Sequence, residues 1–341
     1  MNIYFGVQAT GNGHISRCRE LVSKLEQHGA NVDVLLSGRG RYCGEIIPEF
    51  GRYDYREGLT LHSEDGKVNF AKSVYKNNFH RYRRDIKALD VSSYDLILTD
   101  FEPLSARAAR RAGKPVISIS NQNSLLYPKI GDRLKAIDKT FLKKFIPADQ
   151  YIGLFYHHFG QPVLPPIMYL AEKIDRRAPD GRLLVYLPFE HPVSISKALL
   201  GLDASFDIFH PSVRSPMVQD NCNWWPISMD KFSERFSHSE KVICNAGFGL
   251  TSEALNANLE LLVKPVARQP EQLANAAALE KQNLAAVELG ELTNTSVERF
   301  ISEGVPGKPE VQYPDVASGV ARELVNEGRI DLNKLSKELW S

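Results

Sequence analysis

The chain has 341 residues, which is more than one hydrophobic core comfortably serves and enough for two domains. Its 42 Lys and Arg residues nearly balance its 41 Asp and Glu residues. The overall charge therefore gives no reason to expect a nucleic-acid partner.

The sequence pattern predicts neither a membrane protein nor a secreted one. The apolar runs, such as residues 183–187, are far shorter than the ~18 residues of a membrane helix. The amino terminus has no basic lead and enters a predicted strand directly, unlike a signal peptide. The four cysteines, Cys18, Cys43, Cys222 and Cys244, form no C-x-x-C pair. We therefore expect reduced thiols and a cytoplasmic protein.

The first elements in the chain predict a parallel α/β sheet. Residues 2–8 read as a buried strand, a glycine turn follows at Gly11 and Gly13, and an apolar stripe from Ile15 to Leu25 has helical spacing. Residues 31–37 form the next predicted strand. The order strand, glycine turn, helix and strand is typical of a doubly wound sheet.

A dinucleotide-binding site is the obvious competitor at this turn, because Gly11 and Gly13 open the corresponding fingerprint. Its third glycine is replaced by Ser16, and the second strand ends in Leu35, Leu36 and Ser37 where a ribose-binding acid is required. These two mismatches argue against a nicotinamide cofactor.

Two segments, residues 67–87 and 129–144, interleave Lys and Arg with aromatic and aliphatic residues. A basic helix is often only a solvated face. The alternative is a surface that contacts anionic phospholipid or a lipid acceptor carrying pyrophosphate, with the protein at the inner face of the membrane.

Polar residues follow two further predicted strands of the first half. Asp100 and Glu102 follow the strand at residues 94–100, and Gln122 follows the strand at residues 115–120. The carboxyl ends of parallel strands share one edge of a sheet, where such sheets bind ligands. Each of these residues is a candidate for acceptor binding, and each could equally cap a helix or anchor a loop.

A proline-rich stretch, residues 160–166, suits a linker between domains. The second half begins with a predicted strand at residues 183–187. A helix follows that we expect Ser194 to cap, and His191 lies in the turn before it. His191 and Ser194 are therefore secondary candidates for donor binding.

The stretch from residue 241 to residue 288 carries the strongest functional signal. A short apolar strand at residues 242–244 breaks at Gly247 and Gly249 into a helix. The free N–H groups at the start of such a helix attract an anion, and Thr251 and Ser252 add hydroxyls to the first turn. Glu253, about one turn in, has a carboxylate suited to a vicinal diol such as a ribose.

The whole stretch resembles the donor-binding signature of GT-B glycosyltransferases, a superfamily that includes the UDP-glycosyltransferases and the lipid-linked, MurG-like N-acetylglucosaminyltransferases. The matching positions keep the order and spacing of the signature: Gly247, Gly249, Thr251, Glu253, Ala254, Leu255, Pro265, Glu271, Gln272, Asn275, Ala276, Leu279 and Glu280. The amino-terminal turn, with Gly11, Gly13 and His14, also looks like that of these enzymes.

The resemblance implies an α/β GT-B fold, with two Rossmann-like doubly wound domains facing each other across a cleft. We expect an acceptor-binding domain at residues 1–165, a donor-binding domain at 166–320, and a carboxy-terminal helix at 321–341 that packs back on the first domain. Donor binding is then assigned to the positions Gly247, Phe248, Gly249, Leu250, Thr251, Glu253, Glu271, Gln272 and Asn275. The loop that holds the base maps to Ser228, Met229 and Phe232. The turn at Gly11 and Gly13, with Glu102 and Gln122, lies on the acceptor side.

The implied activity is the transfer of a hexose or N-acetylhexosamine from a nucleotide sugar, UDP-linked, to a hydroxyl of a glycan or lipid. His14, or failing it Asp100, takes the acceptor proton. The glutamate pair of retaining members is absent, since Glu253 and Glu260 are spaced too closely, which favours inversion. No Asp-x-Asp pair is present, so we expect neither a catalytic metal nor a cofactor beyond the donor.

Two departures leave alternatives open. Many relatives have His-Gly-Gly where this chain has Asn245, Ala246 and Gly247, and the usual Gly-x-Pro is replaced at residues 258–260. A hydrolysing UDP-sugar 2-epimerase shares the fold and would need no acceptor. A protein that senses a nucleotide sugar without catalysis is the third hypothesis.

Overall fold

The computed structural model describes residues 1–38, 47–51, 53–60, 63–64, 67–68, 77–132, 136–169 and 175–341. Parts of the two basic segments, residues 69–76 and 133–135, lie outside the described residues, as does Cys43. The other three cysteines, Cys18, Cys222 and Cys244, are buried free thiols.

The chain divides into two compact units. The first contains Met1–His62, Phe70–Tyr169 and Tyr313–Ser341, and the second contains Ser63–Asn69 and Leu170–Gln312. The expected boundaries at residues 165 and 321 lie a few residues from these divisions.

The strands in chain order are β1 (Asn2–Gln8), β2 (Asn31–Ser37), β3 (Tyr53–Arg56), β4 (Ser63–Glu64), β5 (Lys67–Val68), β6 (Leu96–Asp100), β7 (Val116–Ser120), β8 (Gln150–Gly153), β9 (Arg182–Tyr186), β10 (Ser205–Phe209), β11 (Met217–Gln219), β12 (Cys222–Trp225), β13 (Lys241–Asn245), β14 (Glu260–Lys264) and β15 (Ala286–Val287). The helices are α1 (Asn12–Gln27), α2 (Phe79–Ala88), α3 (Pro103–Ala112), α4 (Asn121–Ser124), α5 (Ala136–Phe145), α6 (Pro192–Leu199), α7 (Met229–His238), α8 (Phe248–Asn256), α9 (Pro270–Lys281), α10 (Asn294–Glu303), α11 (Val316–Glu327) and α12 (Leu332–Leu339). A single 3-10 turn spans Pro48–Phe50.

The first unit is built on a 6-stranded sheet with the order β3-β2-β1-β6-β7-β8. All of its strand pairs are parallel. Its central strands β1 and β6 are almost continuously buried, which is typical of a parallel sheet covered by helices on both faces. The core on one face includes Ile97, Leu104 and Val116.

The segment that begins at Tyr313 belongs to the first unit and packs into it. Helix α11 lies against α1, and Lys24 of α1 pairs with Asp315 at a distance of 3.1 Å. Trp340 donates its indole N–H to the Val163 carbonyl at 2.7 Å, and Ser336 donates its hydroxyl to the same carbonyl at 2.9 Å. These contacts fix the last two helices to the sheet that begins at the amino terminus.

The second unit repeats this plan with a 7-stranded sheet in the order β11-β12-β10-β9-β13-β14-β15. Its strand pairs are parallel except that β11 runs antiparallel to β12. One core cluster joins the sheet to α6 and α10 through apolar side chains such as Val185, Ile195 and Phe300. In the described part of the chain, no helix has the length and apolarity needed to cross a membrane.

Candidate functional site

The central strands of the first sheet mark its topological switch point. The chain leaves β1 toward β2 on one side and leaves β6 toward β7 on the other, so the loops after β1 and β6 diverge and leave a crevice. His14 lies in the first turn of α1, directly after β1, and Asp100 is the last residue of β6. The His14 Nδ1 atom is 3.0 Å from Asp100 Oδ1, so the two candidates predicted for proton transfer are in contact.

Arg17 completes this group from the next turn of α1. It donates from Nε to Asp100 Oδ2 and from Nη2 to Asp100 Oδ1, both at 2.6 Å. Cys18 donates its thiol to Asp100 Oδ2 at 3.2 Å. Burial raises the pKa of the fully buried Asp100, but the opposing charges of Arg17 and His14 outweigh it and lower the pKa to about 2. Asp100 is therefore an anion that holds other groups in place, and it is unsuited to act as the alternative base.

The ring orientation of His14 depends on this ion group. Nδ1 faces both Asp100 Oδ1 and, at 2.6 Å, the Arg17 Nη2 donor. The two contacts correspond to different tautomers. With the proton on Nδ1, the ring donates to Asp100 and leaves Nε2 as an acceptor; without it, Nδ1 accepts from Arg17 and Nε2 carries the proton. Nε2 has no hydrogen-bond partner among the residues that the structure describes, and the His14 side chain keeps 15% of its surface exposed. The geometry thus places a partly exposed imidazole next to a fixed carboxylate.

The predicted acceptor residues separate into two kinds. Glu102 is fully buried and caps α3, where its carboxylate accepts from the backbone N–H groups of Leu104 and Ser105 and from the Ser37 hydroxyl. Burial raises the pKa of Glu102. Glu102 is therefore the helix cap that the sequence equally allowed, and its role in acceptor binding stays a prediction. Gln122 is buried in α4, whereas Gly11 and Gly13 remain partly exposed beside His14.

The second sheet has its switch point between β9 and β13. Helix α8 begins there, directly after β13, with Gly247 as its N-cap. The backbone of Gly247 has φ −74, which any residue adopts, and a side-chain carbon built there would meet no atom within 4 Å. Glycine at this position therefore leaves open space in front of the helix.

The start of α8 also lacks a capping side chain. Gly11 before α1, Gly247 before α8 and Gln269 before α9 make no side-chain cap hydrogen bond. The other helices whose N-caps the structure describes are capped by a side chain, as with Ser228 before α7 and Thr293 before α10. The helices that follow the predicted ligand-binding turns therefore keep their first N–H groups available.

Several predicted donor residues hold this turn without facing a ligand. The fully buried Thr251 hydroxyl contacts the Gly247 carbonyl at 2.8 Å, so it bonds within its own helix. Asn275 is fully buried and donates to the Ala246 carbonyl at 2.9 Å, and Gln272 accepts from the Val266 N–H at 2.9 Å. Each of these three side chains therefore holds backbone next to the predicted donor site, and their contact with a donor stays a prediction.

The remaining candidates of this stretch lie at or next to the turn. Phe248 and Glu253 are buried, while Gly249 and Leu250 in the first turn of α8 and Glu271 in the first turn of α9 are partly exposed. Gly249, Leu250 and Glu271 are thus the residues of this part of the predicted donor site that reach the surface.

The two loops on the other side of β9 are shaped by caps. His191, not Ser194, caps α6: its Nδ1 accepts from the Val193 N–H at 3.2 Å, and Ser194 is exposed one turn further. Ser228 caps α7, and Met229 is partly buried beside it. Phe232 packs edge-on against Tyr186 and Phe209, with ring centroids 5.7 and 5.2 Å apart. Phe232 therefore belongs to an aromatic cluster at the carboxyl ends of β9 and β10.

A polar cluster at the second switch point was not predicted from the sequence. Asn245 at the end of β13 donates from Nδ2 to Glu190 Oε1 at 3.2 Å, and Lys264 at the end of β14 pairs with Glu190 Oε2 at 2.8 Å. The sequence signal was partly present, because Asn245 and Glu190 each follow a predicted strand, at residues 242–244 and 183–187. Among the described residues, no group of three or more His, Cys, Asp and Glu side chains could hold a metal ion.

Comparison with known proteins identifies the family. Residues 1–306 match the family described as Glycosyl transferase family 1. No curated protein matches the sequence. UGT89C1 from Arabidopsis thaliana, in a crystal structure complexed with UDP, superposes with a TM-score of 0.64 at 12% identity over 99% of each chain. The glycosyltransferase SnogD from Streptomyces nogalater gives a TM-score of 0.55 at 16% identity over 100% of this chain and 99% of its own.

These findings confirm the α/β GT-B fold and the glycosyltransferase resemblance that the sequence predicted. The narrower likeness to the lipid-linked, MurG-like N-acetylglucosaminyltransferases stays a prediction. Because the family match spans most of the sequence and the fold agrees with it, the chain belongs to Glycosyl transferase family 1 and is a glycosyltransferase.

Proposed function

We propose that this protein transfers a hexose or N-acetylhexosamine from a UDP-sugar to a hydroxyl acceptor with inversion at the anomeric carbon. The second unit holds the donor, and His14 of the first unit takes the proton of the acceptor hydroxyl. Family membership supports glycosyl transfer itself. The sugar, the nucleotide and the stereochemistry are proposals, supported as follows.

The contact between His14 and Asp100 carries the proposal. The reactive tautomer in this proposal carries its proton on Nδ1, which donates to the buried Asp100 carboxylate 3.0 Å away and leaves Nε2 to accept a proton. As the acceptor oxygen attacks, its proton passes to Nε2, and Asp100 stabilises the imidazolium that forms. A base of this kind contributes about 10²–10⁴-fold to a rate.

The donor assignment is supported by the uncapped start of α8. No side chain caps the start of α8, and a side-chain carbon built at Gly247 would meet no atom within 4 Å, so the first turn of the helix begins at an open space. A diphosphate there gains from the helix dipole, and the backbone N–H groups of the first turn stabilise the charge that grows on it as the sugar–phosphate bond breaks. UGT89C1, a structural neighbour, has been crystallised with UDP and with UDP-L-rhamnose.

The same arrangement supports our proposal that transfer inverts the anomeric carbon and needs no metal ion. A single base on the acceptor side suits direct displacement, in which the attacking oxygen and the leaving diphosphate lie on opposite faces of the sugar. The N–H groups of α8 supply the charge stabilisation that a metal ion provides elsewhere. We propose that no cofactor beyond the donor is required.

We further propose a lipid or cell-envelope glycan as acceptor, reached from the cytoplasmic face of the membrane. The described parts of the two basic segments support this: Phe79 of α2 and Phe141 of α5 are exposed, at 46% and 64%, beside exposed cationic residues such as Arg84 and Lys144. Exposed aromatic rings next to Lys and Arg suit an anionic lipid surface.

The test is to incubate the purified protein with a panel of UDP-sugars and to measure UDP release with and without a lipid extract or soluble hydroxyl acceptors. We expect release that depends on acceptor, survives EDTA, and yields a product of inverted anomeric configuration by NMR. Formation of a 2-epimer without acceptor would instead show the epimerase. Saturable donor binding with neither product would show a sensor.

A further inference from the structure

The cluster of Glu190, Lys264 and Asn245 lies at the carboxyl edge of three neighbouring strands, and all three residues belong to the second unit. Asn245 and Lys264 are register partners at the ends of β13 and β14, and Glu190 lies in the loop after β9. The Asn245 side chain ties the three together, since Nδ2 also donates to the Lys264 carbonyl at 2.9 Å. This cluster therefore spans the switch point directly beside the turn into α8.

Stability alone does not explain this ion pair. Lys264 is only 8% exposed, and its partner carboxylate is nearly as buried. Removing two charges from water costs several kcal/mol, and apolar residues of similar size usually replace such a pair without loss of stability. A charged pair kept at a sheet edge where ligands bind instead suggests a function for one of its charges.

A second observation shows that the cluster is incomplete by itself. Asn245 is 5% exposed, and its Oδ1 atom is buried without a hydrogen-bond partner among the described residues. The large majority of buried side-chain polar atoms have a hydrogen-bond partner, so an unpaired one at a ligand-binding edge is consistent with a group that arrives from outside. A hydroxyl of the donor is such a group.

The position of the cluster identifies which ligand group it meets. Asn245 accepts the Gly247 N–H on its own carbonyl at 2.8 Å, so the cluster is joined to the N-cap of α8 through one hydrogen bond and two peptide units. A diphosphate at the uncapped helix start lies next to Lys264. It also lies next to Glu190, whose negative charge repels it.

We propose that Lys264 binds the phosphates of the donor, and that it pairs with Glu190 as long as no donor is bound. In the structure the Lys264 ammonium pairs with the Glu190 carboxylate. When the nucleotide sugar binds, the ammonium leaves this carboxylate and pairs with the diphosphate, and the Glu190 side chain moves away. This rests on the proposed function of the α8 turn as the donor site. The flexible stem and three donors of Lys suit an exchange of partners better than the rigid fork of Arg.

The experiment measures binding of UDP and of uridine by titration calorimetry to the full chain and its variants. Lys264→Met should weaken UDP binding about 10- to 100-fold, the value of one hydrogen bond to a charged group. Glu190→Gln should strengthen UDP binding several-fold, because it removes the competing anion while keeping an amide for Asn245. Uridine, which has no phosphate, should bind both variants as it binds the wild type.

The chain offers a matched control at the other end of the same two strands. Lys241 at the start of β13 pairs with Glu260 at the start of β14. Lys241→Met and Glu260→Gln should leave the affinity for UDP unchanged. Lys264→Arg keeps the positive charge and should retain most of the affinity for UDP. This variant separates the loss of the charge in Lys264→Met from a loss of folding.

Opposite signs for Lys264→Met and Glu190→Gln are the result that supports the exchange. If both variants weaken UDP and uridine alike, or if neither changes UDP binding, the pair is structural and the inference is overturned. If the wild type binds no nucleoside diphosphate, the proposed donor site fails and this inference with it. If the wild type binds UDP and Lys264→Met binds it equally well, the donor site stands and only the inference about Lys264 fails.

Discussion

The two switch points of this protein are built on the same topology and carry opposite chemistry. In the first unit, a side chain after β1 reaches the end of β6, and in the second a side chain after β9 reaches the end of β13. The first bridge fixes an anion, Asp100, beside a partly exposed imidazole. The second fixes a cation, Lys264, beside an open helix start. One framework thus provides a site that accepts a proton and a site that holds an anion.

In this protein, the residue at the end of a strand therefore determines the chemistry of the switch point beside it. Asp100 and Lys264 occupy the last positions of their strands, and both are nearly fully buried. Each is compensated by a partner of opposite charge, Arg17 or Glu190. The following experiments test whether the two sites differ in this way.

The largest effect is expected from His14→Ala. It removes the imidazole that we propose as the base and should lower kcat about 10²–10⁴-fold. UDP affinity should be unchanged, because the donor site belongs to the second unit. His28→Ala is the control: this exposed histidine ends the same helix and should not alter kcat. A His14→Ala enzyme with normal kcat would remove the first half of the comparison.

Arg17→Met should have the next largest effect, on stability. It leaves the Asp100 carboxylate buried without its main cation, and breaking such a pair costs about 3–5 kcal/mol. Urea denaturation would measure this as a lower midpoint at an unchanged slope. Adding Asp100→Leu to Arg17→Met should restore part of the loss, since no buried charge then remains unpaired.

Arg19→Met supplies the control on the same helix. Arg19 makes an equally close pair with Glu49, but that carboxylate is 23% exposed and remains solvated when the cation is lost. Its cost should be clearly smaller than that of Arg17→Met. Equal costs would mean that burial of Asp100 has no special role.

The pH dependence of stability isolates the Asp100 charge. Its pKa is about 2 in the folded protein and 3.8 for the ordinary group. A folded pKa below the unfolded one stabilises the protein at pH values above the unfolded pKa, and that contribution is lost as the pH falls through the folded pKa. We expect the stability advantage of wild type over Asp100→Asn to shrink by about 2 kcal/mol between about pH 5 and pH 2. A constant difference across this range would contradict the assignment.

The smallest effect is expected from Asn275→Ala in the second unit. It removes the hydrogen bond to the Ala246 carbonyl and should cost about 1 kcal/mol. UDP affinity should fall a few-fold, because the turn into α8 is less firmly held. Asn283→Ala removes a similar bond, to the Pro306 carbonyl, on the exposed side of the unit and should leave UDP affinity unchanged.

The fold could be predicted because it depends on local patterns. A strand, a glycine turn and a helix recur at residues 2–27 and again at residues 241–256, and each repeat predicts a parallel sheet without long-range information. His14 and Asp100 could also be chosen separately, from a turn and from a strand end. That they touch could not, because they are 86 residues apart and their contact depends on the pairing of β1 with β6.

The parts of the site that escaped prediction depend on register and on side-chain direction. Arg17 reaches Asp100 only because it lies one turn beyond His14 on the buried face of α1. Lys264 and Glu190 meet through the alignment of three strands, which no spacing reveals. The bond of the Thr251 hydroxyl to the Gly247 carbonyl could not be predicted either, because a hydroxyl in a first helical turn can face a ligand or its own backbone.

The return of the chain to its first unit has a consequence for synthesis. Residues Tyr313–Ser341 complete that unit, with α11 against α1 and Gln150 donating to the Ile330 carbonyl at 2.7 Å. A ribosome therefore translates every residue of the second unit before it has made the last two helices of the first. The first unit, although it begins the chain, is therefore completed last, and nascent chains stalled before residue 313 should leave uncovered the surface of α1 that contacts α11.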